Sequence, residues 1–328
     1  MGVPSALKPP ELADSSEARL QAWTRAVRPL KPMPCAVVHP CDEASLRGAL
    51  EAAQLGLIDA RLVGPARRVR ALAATLGLDL AGATLIDVPH SHAAAAEAVA
   101  MAARGEVSML MKGSLHTDEL MEAVLAERTL RTGRRMSHVF RFEVATYPKP
   151  LLITDAAINI SPDLEAKADI VRNAIDLAQA LGVAEPKVAL LSAVETVTPR
   201  LASTIDAAAL CKMADRGQIR GGRLDGPLAF DNAISAEAAR IKGIVSPVAG
   251  QADVLVVPDL ESGNMLAKQL EYLAGAASCG VVMGARVPIA LTSRADGAVS
   301  RVASAALAVV AARFLAAREA EVIARAAL

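Results

Sequence analysis

The chain has 328 residues, of which 53% are hydrophobic and only 2% aromatic, so its core must be filled mainly by alanine, valine, leucine and isoleucine. Its 35 basic and 35 acidic residues give a formal charge of zero. Nucleic-acid binding would need basic and stacking side chains, and membrane-surface binding would need a basic patch, so neither partner is expected.

Cysteine usage and the start of the chain predict a cytoplasmic protein. The four cysteines form no CxxC pair and do not resemble a secreted disulfide framework, so we expect reduced thiols. The first twenty residues lack the apolar stretch of a signal peptide. The longest apolar run, at residues 302–312, is too short to span a bilayer.

Residues 1–33 are rich in proline, alanine and charge, and we predict a loose arm with one helix near residues 15–27. Short β-rich runs then alternate with alanine-rich helical stretches, which predicts an α/β fold with a mostly parallel sheet covered on both faces. From about residue 300 the pattern predicts one long helix, apolar nearly all round at its centre and therefore buried or at an interface. The predicted strands are residues 35–39, 60–64, 107–111, 138–144, 151–154, 187–191, 253–257 and 287–292.

The polar residues that follow each strand are the candidates for a site, because ligands of open parallel sheets bind beyond the carboxyl ends of the strands. After the third strand, Lys112 supplies a charge and Gly113 lets the backbone approach a ligand closely. Ser114 or Thr117 can cap the next helix, whose N-terminal amides suit an anion. A capped helix with a solvated lysine explains the same residues without a ligand.

Two later strands also end in polar loops. We expect Asp155 to accept hydrogen bonds from the amides of its own loop. Asp259 can do the same, while Gly263 and Asn264 indicate a turn in which another residue would be strained. Composition alone favours a plainer interpretation of that stretch, in which Ser262 or Asn264 caps a helix.

Ser293 and Arg294 come directly after the last predicted strand. An arginine fork suits a phosphate or acyl-phosphate oxygen, although arginine is also common on surfaces. His90 and His92 lack the carboxylate or cysteine spacing of a metal site, so we expect a surface loop there. Absence of GxGxxG, Walker, HExxH and GxSxG motifs removes support for dinucleotide binding, nucleotide hydrolysis and serine hydrolysis.

Three blocks together resemble the phosphate acetyltransferase and phosphate butyryltransferase family. They are ITDAAINISPDLEAKADI (153–170), the stretch from DGPLAFDNAIS to LEYLAGA (225–276) and ALTSRADGA (290–298). The resemblance extends over about residues 35–325. It implies an isocitrate dehydrogenase-like fold, a two-domain α/β/α sandwich with mostly parallel sheets and an interdomain cleft. The implied domains are residues 34–146 with 281–328, which form a discontinuous first domain, and residues 147–280, which form the second.

The resemblance also implies a reaction, the reversible transfer of an acyl group, acetyl or butyryl, between CoA and inorganic phosphate. The CoA thiol would attack acyl phosphate directly, so the ligands are acyl-CoA, CoA, phosphate and acyl phosphate. No metal or redox cofactor is implied, and a homodimer is expected. The residues suit this chemistry, because a leaving phosphate needs cationic or amide donors and the thiol needs a base.

Residue roles follow from the same resemblance. Arg294 would bind phosphate and stabilise the charge of the transition state, while Ser293 would orient the thiol or the carbonyl. The cleft floor would be shaped by Asp259, Gly263 and Asn264, so that Arg294 and the 259–264 turn share one anion pocket. The first domain would line this cleft with Lys112, Gly113, Ser114 and Thr117.

Two positions depart from the acetyl branch of the family. That branch carries an aspartate, the proposed base for the thiol, seven residues after the serine. This chain has Ser300 there, which leaves Asp296 as the candidate base, and Glu122 stands near the place of an arginine in the first loop. Two other hypotheses are a catalytically weak sensor of CoA or acyl phosphate and a metal- and NAD-dependent dehydrogenase on the same fold. The latter would need an aspartate cluster that the sequence lacks.

Overall fold

The computed structural model describes residues 15–27, 31–293 and 296–326, and within these ranges eleven strands form one sheet. The strands are β1 (Met33–Val38), β2 (Ile58–Gly64), β3 (Thr84–Asp87), β4 (Met109–Lys112), β5 (Ser137–Glu143), β6 (Leu151–Thr154), β7 (Lys187–Leu191), β8 (Arg223–Leu228), β9 (Val254–Val256), β10 (Ala277–Met283) and β11 (Ile289–Ala290). Their order across the sheet is β3-β2-β1-β4-β11-β10-β5-β6-β9-β7-β8.

Helices cover both faces of this sheet. They are α1 (Ser16–Ala26), α2 (Glu43–Gln54), α3 (Ala66–Leu76), α4 (Ser91–Ala103), α5 (Thr117–Ala126), α6 (Leu164–Ala180), α7 (Ala202–Asp215), α8 (Phe230–Ile234), α9 (Ala236–Ile241), α10 (Leu260–Leu273) and α11 (Ala298–Ala326). One core cluster joins α1, α2, α3, α6, α7 and α11 to the first face. Two separate clusters, under α4 with α5 and under α8 to α10, cover the second face. The predicted fold, a mostly parallel sheet with helices on both faces, is confirmed.

The two halves of the sheet run in opposite directions. Strands β3, β2, β1, β4 and β11 are parallel to one another, and so are β6, β9, β7 and β8. Between the halves, β10 pairs antiparallel with both β11 and β5, and β5 pairs antiparallel with β6. Because β4 and β9 run in opposite directions, the carboxyl end of β4 lies on the side of the sheet where the strands of the second half begin. The carboxyl end of β9 lies on the side where the strands of the first half begin.

All eight predicted strands are present, and β3, β8 and β10 were missed. β3 and β8 are edge strands, so they are only partly buried and lack the continuous apolar run of a central strand. In β10 the apolar run is interrupted by Ser278 and Gly280, both of which lie inside the strand. The predicted boundary between residues 280 and 281 thus falls within β10, and the division into domains stays a prediction.

The terminal helices pack more closely than the sequence indicated. The described part of the arm, α1, is not loose, because the Trp23 ring lies 4.2 Å from the Arg141 guanidinium and Arg19 pairs with Glu143. Helix α11 is long and apolar enough to cross a membrane by length and composition alone. Its apolar stretch, residues 302–312, is instead buried in the core of the chain, so it offers no free interface for a dimer.

Candidate functional site

The loop after β4 is packed against the end of β1. A Cβ atom on Gly113 would lie 2.3 Å from the carbonyl oxygen of Val38 and 2.6 Å from that of His39, so only glycine fits here. Ser114 donates its hydroxyl hydrogen to the His39 carbonyl at 2.8 Å. The close approach predicted for a ligand is therefore made to the chain's own backbone, and a ligand role for Gly113 and Ser114 stays a prediction.

The environment of Lys112 and the N-cap of helix α5 also differ from the prediction. Lys112 is not solvated, since it is 4% exposed, and its Nζ lies 3.5 Å from the Gly113 carbonyl oxygen. Helix α5 begins at Thr117 with His116 as the N-cap, and neither Ser114 nor Thr117 caps it. Within the described residues the side chain of His116 accepts no hydrogen bond from the first amides of α5.

Asp155, at the end of β6, plays the structural role that the sequence favoured. Its carboxylate accepts hydrogen bonds from the amides of Ala157, Ile158 and Asn159, and also from the Asn159 side chain. The adjoining carbonyl of Ala156 accepts a bond of 3.2 Å from the Asn264 side chain. This loop is thus a fixed platform for the start of α10.

Asp259, and neither Ser262 nor Asn264, is the N-cap of α10. Its carboxylate accepts the Ser262 amide and the Ser262 hydroxyl, both at 2.8 Å. Gly263 is helical and not part of a strained turn. It must be glycine because a Cβ atom would lie 2.7 Å from Val257 Cγ2 and 2.9 Å from the Asp155 carbonyl oxygen.

The segment after β11 holds the most polar part of the site. Ser293 is exposed, and its amide donates to the Asp296 carboxylate at 2.7 Å. Burial raises the pKa of Asp296 above its ordinary value, and the Ser293 amide opposes that rise. Three cations also oppose it, namely Arg301, Lys268 and Lys112. Arg294 lies outside the described residues, so its predicted role and its shared pocket with residues 259–264 stay predictions.

Asp296 lies within the electrostatic influence of two other parts of the chain. Lys112 comes from the end of β4, Lys268 from the second half of α10, and Asp296 itself from the segment between β11 and α11. Asp259 is not at this point, since nine residues of helix place it about 13 Å along α10 from Lys268. The contribution of α10 to the cationic site was missed, because Lys268 follows no strand.

A cavity of about 960 Å³ lies at the other edge of the sheet. It is lined by Asp259, which is the N-cap of α10, and along that helix from Ser262 to Ala274. The ends of β7 and β9 and the start of α7 complete the lining, which includes the bonded pair Ser192 and Ser203. None of its described lining residues belongs to the segments 112–117 or 293–296. Of the predicted site residues, Asp259 lines this cavity, whereas Lys112 and Ser293 act on Asp296.

Two further buried polar residues were missed by sequence reasoning. The His138 ring lies in the central strand β5, fully buried, with neither ring nitrogen in hydrogen-bond geometry to a described residue. It covers Gly280, whose Cβ would approach His138 Nε2 to 2.4 Å. Burial lowers the pKa of His138 to about 4. The second is Arg301, a single arginine at the start of the apolar stretch of α11. A lone charged residue beside such a stretch is a sequence signal that could have identified it.

Comparison with known proteins agrees with this architecture. A family model described as "Phosphate acetyl/butaryl transferase" matches residues 90–309. A phosphate acetyltransferase of Rhizobium meliloti is 63% identical over 291 residues, which are 88% of this chain and 91% of the relative. A phosphate butyryltransferase of Clostridium acetobutylicum is 41% identical over 83% of this chain and 91% of its own length.

A solved structure is similar over most of its length. The branched-chain phosphotransacylase from Enterococcus faecalis V583 superposes with a TM-score of 0.74 at 29% sequence identity, covering 85% of this chain and 99% of its own. The family model spans more than half of the chain, and the relatives exceed the similarity at which membership is secure. The chain therefore belongs to the phosphate acetyltransferase and phosphate butyryltransferase family, whose members transfer acyl groups between CoA and phosphate.

Proposed function

We propose that the chain transfers an acetyl group reversibly between acetyl phosphate and CoA, by direct attack of the CoA thiol on the acyl carbon. Family membership makes it an acyltransferase acting between CoA and phosphate. Acetyl is proposed over butyryl because identity to the Rhizobium phosphate acetyltransferase is 63%, against 41% to the Clostridium butyryltransferase. The observation that supports this site most directly is the Asp296 carboxylate, which accepts the Ser293 amide at 2.7 Å and lies within the electrostatic field of Lys112 and Lys268.

In the proposed step, Asp296 takes the thiol proton and the sulfur attacks the carbonyl carbon. The carbonyl oxygen becomes an oxyanion, which collapses as the carbon–oxygen bond to phosphate breaks and phosphate leaves with the electron pair. Lys112 and Lys268 stabilise the negative charge of the leaving phosphate, as cations do at such centres. A raised carboxyl pKa suits Asp296 to the base role, because a stronger base removes a thiol proton more readily.

The other roles are proposed on the sequence resemblance. Arg294 binds phosphate, and Ser293 orients the thiol or carbonyl. The transfer changes no oxidation state, so no redox cofactor is proposed, and no metal is proposed either. Cys35, Cys41 and Cys279 are buried free thiols, which is in keeping with the proposed cytoplasmic location.

We also propose a homodimer, now on a different surface from the one the sequence indicated. Three large apolar side chains on one side of α10 are well exposed: Met265 at 64%, Tyr272 at 73% and Leu273 at 80%. Their spacing of seven and eight residues places them on one helix face, which a second copy would cover. Sedimentation equilibrium tests this, and a monomer at all concentrations would refute it.

The activity assay follows free thiol after mixing the protein with phosphate and acetyl-, propionyl- or butyryl-CoA, with and without EDTA. We expect turnover that is fastest with acetyl-CoA and insensitive to EDTA. Absence of thiol release with every acyl chain would favour the alternative, a catalytically weak sensor of CoA or acyl phosphate. Faster turnover with butyryl-CoA would refute the acetyl preference alone.

The base is tested by Asp296→Asn. Removing a general base typically costs about 10²- to 10⁴-fold in rate. Because the base acts when ionised, wild-type turnover should fall as the pH decreases through the raised pKa of Asp296, and the variant should lose this acid limb. Asp215→Asn, at an exposed surface ion pair with Lys212, is the control. An unchanged rate in Asp296→Asn would exclude the role.

A further inference from the structure

Arg301 is anchored under the segment that carries Ser293. Its guanidinium makes three hydrogen bonds: Nη1 donates to Thr292 Oγ1 at 3.0 Å, Nη2 to the Ser293 carbonyl at 3.0 Å, and Nε to the Asp296 carbonyl at 3.2 Å. One side chain thus holds both ends of the segment. The three acceptors require a planar fork of donors, which lysine cannot supply.

This guanidinium is almost entirely buried. Arg301 is 2% exposed, and burial lowers the pKa of its guanidinium, while Asp42 and Asp296 oppose that effect. A buried charge is costly unless it is hydrogen-bonded and compensated, and the three bonds to Thr292, Ser293 and Asp296 supply that compensation.

The packing around Arg301 is arranged to accept it. On the neighbouring helix α2, a Cβ atom on Gly48 would lie 2.8 Å from Arg301 Cβ and 3.3 Å from Arg301 Cδ. Glycine at position 48 therefore lets the arginine stem pass between the two helices. The stem can be displaced from this side without touching the polar site.

We propose that Arg301 is a positioning residue for acyl transfer, which holds Thr292, Ser293 and Asp296 so that Ser293 and Asp296 face the substrates. The proposal rests on the proposed function, in which that segment carries the reaction. Its positive charge, close to Asp296, also favours the ionised form of the base. A misplacement of about 1 Å at a reacting centre can reduce the rate about 100-fold, which sets the size of the expected effect.

The first test compares Arg301→Met and Arg301→Lys with Arg318→Met, a control on the same helix. Arg318 pairs with Asp176, remote from the segment. We expect Arg301→Met to lower kcat about 100-fold, with KM for CoA changed less than threefold, and Arg301→Lys to recover only part of the loss. If kcat of Arg301→Met stays within threefold of the wild type while its Tm falls, Arg301 is purely structural and the proposal is overturned.

A double-mutant cycle with Ser293→Ala separates this proposal from the proposed site. If Arg301 acts through the segment, the losses in Arg301→Met and Ser293→Ala should not add, because the first already misplaces the serine. Full additivity would overturn the positioning role while leaving Ser293 in the site. If Ser293→Ala and Asp296→Asn both keep wild-type turnover, the segment is not catalytic and both proposals fall.

The second test displaces Arg301 indirectly, by a substitution at Gly48 on α2. Gly48→Ala introduces a Cβ atom 2.8 Å from Arg301 Cβ and is expected to lower kcat about tenfold or more through displacement of the guanidinium. The double variant Gly48→Ala with Arg301→Met should be no slower than Arg301→Met alone. A Gly48→Ala enzyme with lowered Tm but wild-type kcat would contradict the proposal.

Discussion

Asp259 illustrates how a structural role and a substrate role can be separated. Its carboxylate caps α10 through two bonds from Ser262, and it also lines the large cavity. Phosphate and acyl phosphate are anions, so a carboxylate facing them would repel them. We therefore predict that Asp259 serves as a cap and that its charge is not used. Asp259→Asn keeps an acceptor of equal capping strength without the charge, and Asp259→Ala removes both.

The expected magnitudes follow from the cap and the chain length. Loss of an N-cap costs about 1–2 kcal/mol. The entropy of unfolding is about 2.1 cal/mol/K per residue, hence about 0.7 kcal/mol/K for 328 residues. Asp259→Ala should then lower Tm by about 1.5–3 °C. Asp259→Asn should change it by less than about 0.5 °C, since asparagine caps as well as aspartate.

Calorimetry and the thiol assay on the same preparations test whether Asp259 acts only as a helix cap. Asp163→Ala is the matched control, because Asp163 caps α6 through the Ala166 amide at the same distance, 2.8 Å. We expect Asp259→Asn to keep kcat and KM within threefold of the wild type. A loss of more than tenfold in turnover at unchanged Tm would refute the reasoning, since only the charge has been removed.

Two further predictions concern buried positions. Gly263→Ala gains about 1 kcal/mol of helix propensity but loses about 1–3 kcal/mol to overpacking against Val257 and the Asp155 carbonyl. Its Tm should therefore fall or stay level, and a clear rise would show that the loop yields freely. Burial lowers the pKa of His138 from 6.5 to about 4. Between these two pH values the imidazole is protonated in the unfolded chain and neutral in the folded chain. Stability should decline from pH 6.5 towards 4, and urea unfolding at pH 7 and pH 5 should show a smaller decline in His138→Asn.

Central strands were predictable because parallel strands covered on both faces must be almost wholly apolar. β4, β6 and β7 have this character, and each was predicted within two residues of its observed bounds. The sequence of β10 contains serine and glycine, and the reason for these small residues depends on which side chains pack against the strand. Gly280 is needed because the His138 ring occupies the space of its side chain, a contact between positions 142 residues apart.

The glycines of the candidate site show the same limit. The strained turn predicted at Gly263 was wrong, because this residue is helical, whereas the ligand role of Gly113 stays a prediction. Each is required because a Cβ atom would collide with the backbone of another loop, from His39 in one case and from Asp155 in the other. Sequence alone shows that a glycine is present, whereas its cause lies in a non-local contact that only the fold reveals.

The reversal of direction within the sheet explains which site residues the strand-end rule could find. Lys112 is the last residue of β4 and Asp259 follows β9, but these strands run in opposite directions, so the two side chains cannot share one strand-end crevice. Helix α10 runs on from Asp259, and Lys268 in its second half acts electrostatically on Asp296. The second half of the chain therefore contributes Lys268 to the charge around Asp296, from a helix position that no strand-end rule examines.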